Sequence, residues 1–376
     1  MVSFMGIYVH IPFCRSKCFY CGFYSVASLQ LKEGYIRALC REVELRREYL
    51  PSRQTDTLYF GGGTPSYLEV EELEIIVREI ESGWEFSPDS ERTLEVNPED
   101  VTVEKLRFWK EMDFNRLSIG VQSFDDRVLK QINRTHSARQ AEEAVCRAAD
   151  SGFENIGIDL IIGLPGSTSS NVEHHLKILE KLPVSHVSVY LLSIDSNTVF
   201  ERLMTQGKFI PLDDDLLAEQ YLLVSDYLKH IGFEHYEISN FAKERKYSKH
   251  NTSYWMQRPY LGLGAAAHSY DGVSRQWNVA HLKKYMDALR ENRLCFEREE
   301  LSDRDKYNEW IMTHLRTMWG LDVKQLEREY AVYWSKVKHK LPVWMENGLL
   351  EVENDTIRLS PRGWLVSDGI FSELFV

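Results

Sequence analysis

The sequence predicts an α/β protein built on a mainly parallel sheet, and the order of its elements is the main reason. Short β-rich runs alternate with longer amphipathic stretches through the first two-thirds of the 376 residues. Parallel neighbours need such long crossover connections, so six successive units indicate either a partial barrel or an open doubly wound sheet. Two unrelated α+β domains are the less favoured alternative, because no break in composition interrupts the alternation.

The individual elements follow from local periodicity, which is two residues in strands and 3.6 residues in helices. The expected strands are 6–11, 57–60, 93–96, 116–121, 157–162 and 186–192. The expected helices between them are 34–49, 70–80, 103–112, 138–150 and 171–182. Strand and helix therefore follow one another in regular order up to about residue 192.

The pattern changes after residue 212, where a helix at 216–231 is followed by an aromatic and Gly-rich segment at 236–270. Beyond residue 301 we expect helices at 303–319 and 323–347, a hairpin at 349–359 and a last helix near Trp364. The sequence thus predicts three parts: a barrel-like domain in 1–212, an extension of it in 213–296, and a small mixed α+β domain in 297–376. Two helices and a β wing make the last part winged-helix-like.

The charge balance argues against nucleic acid as a partner. The chain has 45 basic and 57 acidic residues, a net charge of −12, and residues 301–376 carry 10 basic and 12 acidic residues. Neither the whole chain nor the winged-helix-like part therefore attracts phosphate at long range. No run of 18 apolar residues occurs, and residues 1–7 lack the basic region and cleavage site of a secretory signal, so we expect a cytoplasmic protein.

The cysteines point to a metal site rather than to disulfides. Cys14, Cys18 and Cys21 fall within eight residues, whereas Cys40, Cys146 and Cys295 are scattered singly. Three thiolates on one loop can hold three corners of a cubane iron–sulfur cluster and leave the fourth iron open to a substrate. The alternative is a structural zinc site with His10 or a distant residue as fourth ligand, although zinc motifs usually come as two cysteine pairs.

Glycines and polar residues follow the carboxyl ends of successive predicted strands, the edge at which parallel sheets bind ligands. Residues 61–66 read Gly-Gly-Gly-Thr-Pro-Ser, where the backbone can approach a small polar group closely or simply form a tight turn. Arg134 offers a fork suited to a carboxylate, although an isolated Arg is more often in a surface ion pair. Glu95 and Asp159 can accept hydrogen bonds from hydroxyl or ammonium groups; otherwise such residues serve as helix caps or ion-pair partners.

Several sequence blocks, taken in order, resemble the radical S-adenosylmethionine (SAM) superfamily in its coproporphyrinogen-oxidase-like branch. They are Tyr-Val-His-Ile-Pro-Phe at 8–13 with the Cys-x3-Cys-x2-Cys motif after it, and residues 60–66, 94–99, 116–124, 133–136 and 159–166. The resemblance implies a partial (β/α)6 barrel with a [4Fe-4S] cluster on Cys14, Cys18 and Cys21 and with SAM at the open iron. It also implies a SAM pocket lined by Tyr8, Tyr20, Gly62, Gly63, Thr64, Glu95, Gln122, Arg134 and Asp159.

Two features bring the sequence nearer to the heme chaperones of this branch than to its oxygen-independent coproporphyrinogen III dehydrogenases. The dehydrogenases carry a further cysteine two residues after the motif, at the position where Phe23 stands here. Residues 250–255, His-Asn-Thr-Ser-Tyr-Trp, match the HNxxYW pattern that the resemblance associates with heme. Since imidazole is a common axial ligand of heme iron, His250 is the predicted ligand and His268 the second candidate. On chemistry alone, a lone histidine among aromatic residues is more often structural.

We therefore predict a heme chaperone that binds heme and transfers it to an acceptor protein, with a [4Fe-4S] cluster, SAM and heme as its cofactors. The alternative is a coproporphyrinogen III dehydrogenase or another radical SAM enzyme acting on a tetrapyrrole, and no catalytic residue is assigned. The sequence does not identify the acceptor protein, and a respiratory protein is one candidate. It also leaves weak membrane association and a homodimer open.

Overall fold

A computed structural model describes residues 4–376 and shows a large mixed sheet, parallel in its first six strands, that carries helices on its outer face. Its first part contains the strands β1 (Gly6–Ile11), β2 (Gln54–Gly62), β3 (Glu85–Val96), β4 (Arg116–Gln122), β5 (Asn155–Ile162) and β6 (His186–Leu191). The helices between them are α1 (Lys32–Leu45), α2 (Val70–Gly83), α3 (Val103–Glu111), α4 (Asp126–Gln131), α5 (Ala138–Asp150) and α6 (Ser169–Leu179).

The six strands lie side by side in chain order, and each is parallel to the next. Sequential order is the topology of a barrel, whereas a doubly wound sheet reverses direction at a switch point. The prediction of a partial (β/α)6 barrel is confirmed, and the doubly wound alternative is wrong. The sheet stays open between β1 and β6, because other strands pair with each of them.

The middle of the chain extends both edges of this sheet. It contains α7 (Val199–Thr205), α8 (Asp214–His230), β7 (Glu234–Glu237), β8 (Asn240–Ala242), α9 (Lys249–Trp255), β9 (Tyr260–Leu263), β10 (His268–Tyr270), β11 (Ser274–Asn278), α10 (Leu282–Arg290) and β12 (Phe296–Glu300). β8 pairs with β6, and β9 pairs in parallel with β1, so the sheet has twelve strands within residues 4–376. The predicted boundary between residues 296 and 297 lies inside β12, which belongs to this sheet.

The two faces of the barrel strands differ in polarity. In β1 the side chains of Ile7, Val9 and Ile11 lie in the apolar core beneath the helices. The intervening Tyr8 and His10 hydrogen-bond to each other on the inner face. This period of two gives the barrel an apolar outside and a polar inside, which is where a polar ligand can bind.

The C-terminal part has a hydrophobic core of its own, formed by residues between 307 and 374. It contains α11 (Asp303–Leu315), β13 (Leu321–Asp322), α12 (Val323–Glu329), α13 (Ala331–Val337), α14 (Leu341–Glu346), β14 (Leu350–Glu353), β15 (Thr356–Leu359), α15 (Pro361–Leu365) and α16 (Ser367–Leu374). The predicted hairpin is confirmed, since β14 and β15 pair in antiparallel fashion. Within the described part of the chain, no helix is both long enough and apolar enough to cross a bilayer.

The single helix expected at 323–347 is wrong, because the chain forms three short helices there. Tyr330 leaves helical geometry with φ −132°, and its ring packs 5.3 Å from that of Trp310. Pro342 lies in the first turn of α14, where a missing backbone N–H is tolerated and a continuing helix is not. Tertiary packing of an aromatic residue thus overrides the helical periodicity.

Candidate functional site

A cavity of about 360 Å³ opens at the carboxyl ends of the parallel strands. The loop between β1 and α1, which carries the three clustered cysteines, forms one wall, and residues at the ends of β2 to β6 form the others. Eleven of the predicted site residues line it: Cys14, Cys18, Cys21, Tyr20, Gly62, Gly63, Thr64, Glu95, Gln122, Arg134 and Asp159. The structure thus brings residues 145 positions apart in sequence to one site.

Two predicted residues do not line this cavity. Tyr8 lies deeper in the barrel, where its hydroxyl is 3.1 Å from His10 Nδ1 and its ring stacks 6.0 Å from that of Tyr59. His250 lies in α9, against the amino-terminal halves of the strands, and is described below. Tyr8 therefore belongs to the layer of side chains that lies beneath the cavity and supports it.

Main-chain hydrogen bonds order the cysteine loop internally and tie it to the segment that follows α4. Cys14 N donates to Val26 O (3.0 Å), Phe19 N to Ile132 O (3.2 Å) and Cys21 N to Cys18 O (3.2 Å). A loop held at several points by its backbone keeps its side chains available for a ligand. The three thiols therefore face one cavity without a helix or strand to order them.

The thiols have the chemistry of cluster ligands. Thr64 Oγ1 donates to Cys14 Sγ (3.7 Å) and Arg134 Nη1 to Cys18 Sγ (3.6 Å), and such donors stabilise a thiolate. Burial raises the pKa of Cys14, and it raises the pKa of Cys21 to about 11. Both thiols are therefore protonated in the metal-free protein, and binding of iron must displace these protons.

The donor set fits a cluster better than a single zinc ion. Among residues 4–376 no three Cys, His, Asp or Glu side chains converge closely enough for one ion, whereas a cubane spreads its thiolates over separate corners. His10, the proposed fourth zinc ligand, has both ring nitrogens engaged. Nε2 lies 2.9 Å from Tyr24 O and Nδ1 lies 3.1 Å from the Tyr8 hydroxyl. The zinc interpretation thus lacks its local fourth ligand.

The glycines after β2 allow a close approach between this strand and β1. Gly62 has φ +106°, and a Cβ there would lie 2.5 Å from the His10 ring. A Cβ on Gly63 would lie 2.8 Å from the carbonyl oxygens of Ile11 and Phe13. Any other residue would push the cysteine loop away from the strand ends, so these glycines shape the cavity by packing as well as lining it.

Two carboxyl groups lie on the inner face of the cavity. Glu95 accepts hydrogen bonds from the Tyr59 hydroxyl (2.8 Å) and from Gly62 N (3.2 Å). Burial, together with the charge of the nearby Asp159, raises the pKa of Glu95 to about 7. Burial also raises the pKa of Asp159, which accepts from Ser118 Oγ (3.3 Å). Such a pair favours a cationic ligand group, which would compensate the desolvated negative charge.

Arg134 supplies the main positive charge of the cavity. Its Nη2 donates to Asn97 Oδ1 (2.9 Å) and to Gly120 O, while its buried Nε has no partner within the described residues. The guanidinium is thus fixed against the end of β4 beside Cys18. Of the five N–H groups of the guanidinium, one on Nε and one on Nη1 have no acceptor among the described residues. A carboxylate is the partner predicted for them from the sequence.

Gln122 ends β4 with φ +67°, a left-handed conformation that is uncommon for glutamine. The pairing of β4 with β5 shifts register between Ile119 and Gln122. The irregular backbone turns this side chain toward the cavity that it lines. Strain of this kind is frequent where a ligand is held.

The sequence reasoning missed further residues that line the cavity, among them Asn97, Ser118, Tyr190 and Asp195. The alternation of β4 places Ser118 on the same face as Gln122, and that of β6 places Tyr190 inward, so period-two reasoning could have found both. Asp195 lies in a loop, and its carboxylate packs so tightly on Gly22 that a Cβ there would be 2.4 Å away. No local pattern indicates that contact.

The HNxxYW segment forms α9, which closes the end of the barrel opposite the cysteine loop. Lys249 N and His250 N both donate to the buried Glu91 carboxylate (3.0 Å each). The imidazole of His250 is engaged at both nitrogens, with Nδ1 2.8 Å from Thr57 Oγ1 and Nε2 2.7 Å from the Tyr254 hydroxyl. Both nitrogens are thus hydrogen-bonded to hydroxyl groups in this arrangement, and the role of His250 as a heme ligand stays a prediction. His268 is exposed and stacks on Trp277.

The fold and the cysteine-lined cavity define a class, and comparisons with known proteins agree with it. Residues 8–179 match the radical SAM superfamily, and residues 301–366 match the HemN C-terminal domain. Membership in this superfamily brings with it a [4Fe-4S] cluster and SAM. The chain is 36% identical to the heme chaperone HemW of Bacillus subtilis over 97% of both chains. It is 33% identical to that of Mycobacterium tuberculosis over 98% of this chain and 94% of the relative. The chain therefore belongs to the HemW family.

A solved structure supports the fold along the whole chain. The coproporphyrinogen III oxidase HemN of Escherichia coli superposes with a TM-score of 0.87, covering 99% of this chain and 90% of that one. The sequence identity is 24%, so this likeness concerns architecture. It includes the C-terminal domain as well as the barrel, since almost the entire chain is covered.

Proposed function

We propose that the protein is a heme chaperone, which binds heme as cargo and passes it to an acceptor protein. The observation that carries the proposal is full-length similarity to proteins named heme chaperones, at 36% identity with 97% coverage of both chains. Similarity over the entire length includes the HNxxYW segment and the C-terminal domain, not the barrel alone. The acceptor is a protein that uses heme, and it is defined here only by that chemistry.

Phe23 supports cargo binding rather than porphyrinogen decarboxylation. It lines the mouth of the cavity, and 70% of the residue is exposed. A phenyl ring can neither ligate iron nor donate a hydrogen atom as a thiol can. Phe23 stands where the dehydrogenases of this branch carry a further cysteine, so this position supplies no redox chemistry here.

We assign the cluster to Cys14, Cys18 and Cys21 and the SAM pocket to the remaining residues of the cavity. When bound and reduced, the cluster supplies an electron for reductive cleavage of SAM. The N–H groups of Arg134 that have no partner would anchor the carboxylate of SAM, and the carboxyl groups of Glu95 and Asp159 would face its ammonium group. Gln122 and Thr64 add neutral hydrogen-bonding groups at the rim.

The HNxxYW segment and the cysteine loop lie at opposite ends of the barrel. The cysteine loop lies beyond the carboxyl end of β1, whereas α9 contacts Thr57 and Glu91 in the amino-terminal halves of β2 and β3. Heme binding therefore does not need the thiolates. Cargo and cofactor occupy chemically separate sites, and each can be removed without the other.

Hemin titration of two proteins tests this function: the unsubstituted chain and a variant with Cys14, Cys18 and Cys21 all changed to alanine. We expect both to bind heme with the same Soret maximum, while the variant lacks iron–sulfur absorption. A Cys146→Ala variant, changed at an exposed cysteine, controls for thiol loss in general. Absence of heme binding in the unsubstituted chain would refute the chaperone proposal.

One observation favours a second candidate, a coproporphyrinogen III dehydrogenase, namely the TM-score of 0.87 against that enzyme's structure. At 24% identity this likeness concerns the fold alone, so the activity has to be assayed directly. Cytoplasmic location, weak membrane association and a homodimer stay predictions.

A further inference from the structure

The inner face of β2 runs from the HNxxYW segment to the floor of the cavity. Thr57, Tyr59 and Gly61 alternate along this face, while the residues between them lie in the apolar core. We propose that Tyr59 is a positioning residue of the SAM pocket, which holds the carboxyl group of Glu95 in the orientation and charge state that the ligand needs. This inference rests on the proposed assignment of the pocket and adds a residue that acts on it from below.

The hydroxyl group of Tyr59 makes the hydrogen bond on which this role depends. It donates to Glu95 Oε1 at 2.8 Å, while Glu95 Oε2 accepts from Gly62 N at 3.2 Å. Within residues 4–376 no other side chain hydrogen-bonds to Glu95. Burial raises the pKa of Tyr59 well above its ordinary value, so the phenol keeps its proton and remains a donor. The hydrogen bond therefore favours the ionised form of Glu95.

Two aromatic neighbours hold the ring of Tyr59 in place. The ring stacks on that of Tyr8, with 6.0 Å between centroids, and on that of His250, with 5.0 Å between centroids. Tyr59 is buried and does not line the cavity, so it can act on a ligand only through Glu95. A donor that is already fixed before the ligand arrives costs little entropy on binding.

The close contact between Tyr59 and Glu95 requires a glycine beside them. A Cβ on Gly61 would lie 2.8 Å from Glu95 Oε1 and 2.9 Å from Tyr59 Cε1. Both distances are too short for unbonded atoms, so a side chain at this position would displace the pair. The first glycine of residues 61–63 thus makes room for the hydrogen bond as well as for the cavity.

Other titratable groups also face Glu95 from the surrounding elements. Its charge reaches one group on each of β1, β5, β6 and α9, namely Tyr8, Asp159, Tyr190 and Tyr254. Burial raises the pKa of each of the three tyrosines well above its ordinary value, so they stay neutral at physiological pH. Asp159 opposes ionisation of Glu95, whereas the Tyr59 hydroxyl favours it. Loss of that hydroxyl should therefore raise the pKa of Glu95 from about 7.

The test is calorimetry of SAM binding to the reconstituted, reduced full chain and to Tyr59→Phe, which keeps the ring and loses only the hydroxyl. We expect the variant to bind about tenfold more weakly at about pH 6, and nearly equally at about pH 8.5, where Glu95 is ionised in both proteins. The titration of SAM itself is common to both proteins and cancels in this ratio. Tyr227→Phe removes a surface hydroxyl that donates to Glu180 at 2.6 Å, so it is the matched control and should bind equally at every pH.

The pH dependence of the ratio separates positioning from a structural effect. A loss of affinity in Tyr59→Phe that is the same at every pH would overturn the proposal. In a Glu95→Gln background the effect of Tyr59→Phe should not vary with pH, and a ratio that still varied would also overturn it.

Infrared difference spectra of the SAM-free protein give a second readout, because they follow the carboxyl band that Glu95→Gln lacks. The midpoint of its titration should move to higher pH in Tyr59→Phe, and an unmoved midpoint would contradict the inference. If SAM affinity of the unsubstituted chain did not depend on Glu95, the pocket assignment itself would be wrong. The infrared midpoint would still report on the Tyr59–Glu95 pair in that case, so the two failures can be told apart.

Discussion

Single residues act in the cavity through the charge that each contributes to a site shielded from water. Arg134 is held by Asn97 and by the Gly120 carbonyl, and it donates to Cys18 Sγ. Its unpartnered Nε faces no competing acceptor within the described residues. The guanidinium thus adds positive charge beside the cysteine loop and keeps an N–H on Nε and one on Nη1 for an anionic ligand group.

Replacing Arg134 by alanine should weaken SAM binding by about 10- to 100-fold, since a hydrogen bond to a charged group contributes about 1.5–3 kcal/mol. Calorimetry with the reconstituted, reduced protein measures the affinity directly. Arg127→Ala removes an exposed arginine of the neighbouring α4 and should leave affinity unchanged. Equal affinities in the unsubstituted and Arg134→Ala proteins would contradict the carboxylate-anchor role.

Glu95 makes SAM binding depend on pH. Its pKa of about 7 means that part of the population is protonated at neutral pH, and a cationic ligand group binds only to the ionised form. Binding should therefore release a proton, and affinity should rise as pH increases from 6 to 8. Calorimetry in buffers of different ionisation enthalpy counts the proton. Glu95→Gln should bind more weakly and show a flat profile; a profile as steep as that of the unsubstituted protein would exclude Glu95 as its source.

At the scale of elements, α9 depends on one buried carboxylate. Glu91 accepts from the first two N–H groups of this helix, at 3.0 Å each. Unpaired N–H groups at a helix start are costly when they are buried, and an anion there also interacts with the helix dipole. The position of the HNxxYW segment therefore depends on a strand residue more than 150 positions earlier.

Glu91→Ala should lower the free energy of unfolding by about 2–4 kcal/mol, because two charge-assisted hydrogen bonds are lost. Urea denaturation measures the loss, and hydrogen exchange should show α9 opening before the barrel strands. Glu111→Ala, at the exposed end of α3, is the control. Similar stabilities in the two variants would show that α9 is held by packing alone.

Elements with a strong local signal could be predicted, and those that depend on distant contacts could not. The expected bounds of α5 agree with the structure, because Ser137 and Gln140 form a capping box at its start. The break at Tyr330 was not predictable, since it is caused by packing on Trp310 from another helix. At the site, the motif residues were predictable from their blocks. Asp195 and the closed environment of His250 arise only when loops and strands assemble.

At the scale of the whole molecule, buried contacts around His235 join the core of the large sheet to the core of the C-terminal domain. His235 stacks on Phe241 of the large sheet, 3.9 Å between centroids, and meets Trp364 of the C-terminal domain at 4.3 Å. Its Nδ1 lies 3.1 Å from Ser225 Oγ. Burial lowers the pKa of His235 to about 3, so it is neutral in the folded protein across the physiological range.

This pKa predicts a loss of stability in acid. Below about pH 6.5 the unfolded chain binds a proton at this histidine while the folded protein does not, so unfolding becomes more favourable as pH falls toward 3. Between pH 5.5 and 4 the contribution is about 1.4 kcal/mol per pH unit. His235→Phe should reduce the acid slope of the unfolding free energy by that amount. Urea titrations at several pH values measure it, and parallel slopes would contradict the neutral, buried assignment.

As a whole molecule, the chain is expected to carry heme and not to decarboxylate coproporphyrinogen III. The most direct measurement is a pair of anaerobic incubations of the cluster-loaded protein with SAM and reductant, one with hemin and one with coproporphyrinogen III. We expect a Soret band from bound heme in the first and no protoporphyrinogen IX in the second, because Phe23 supplies no thiol at the cavity mouth. Several turnovers of decarboxylated product, without a Soret band in the hemin sample, would contradict the account.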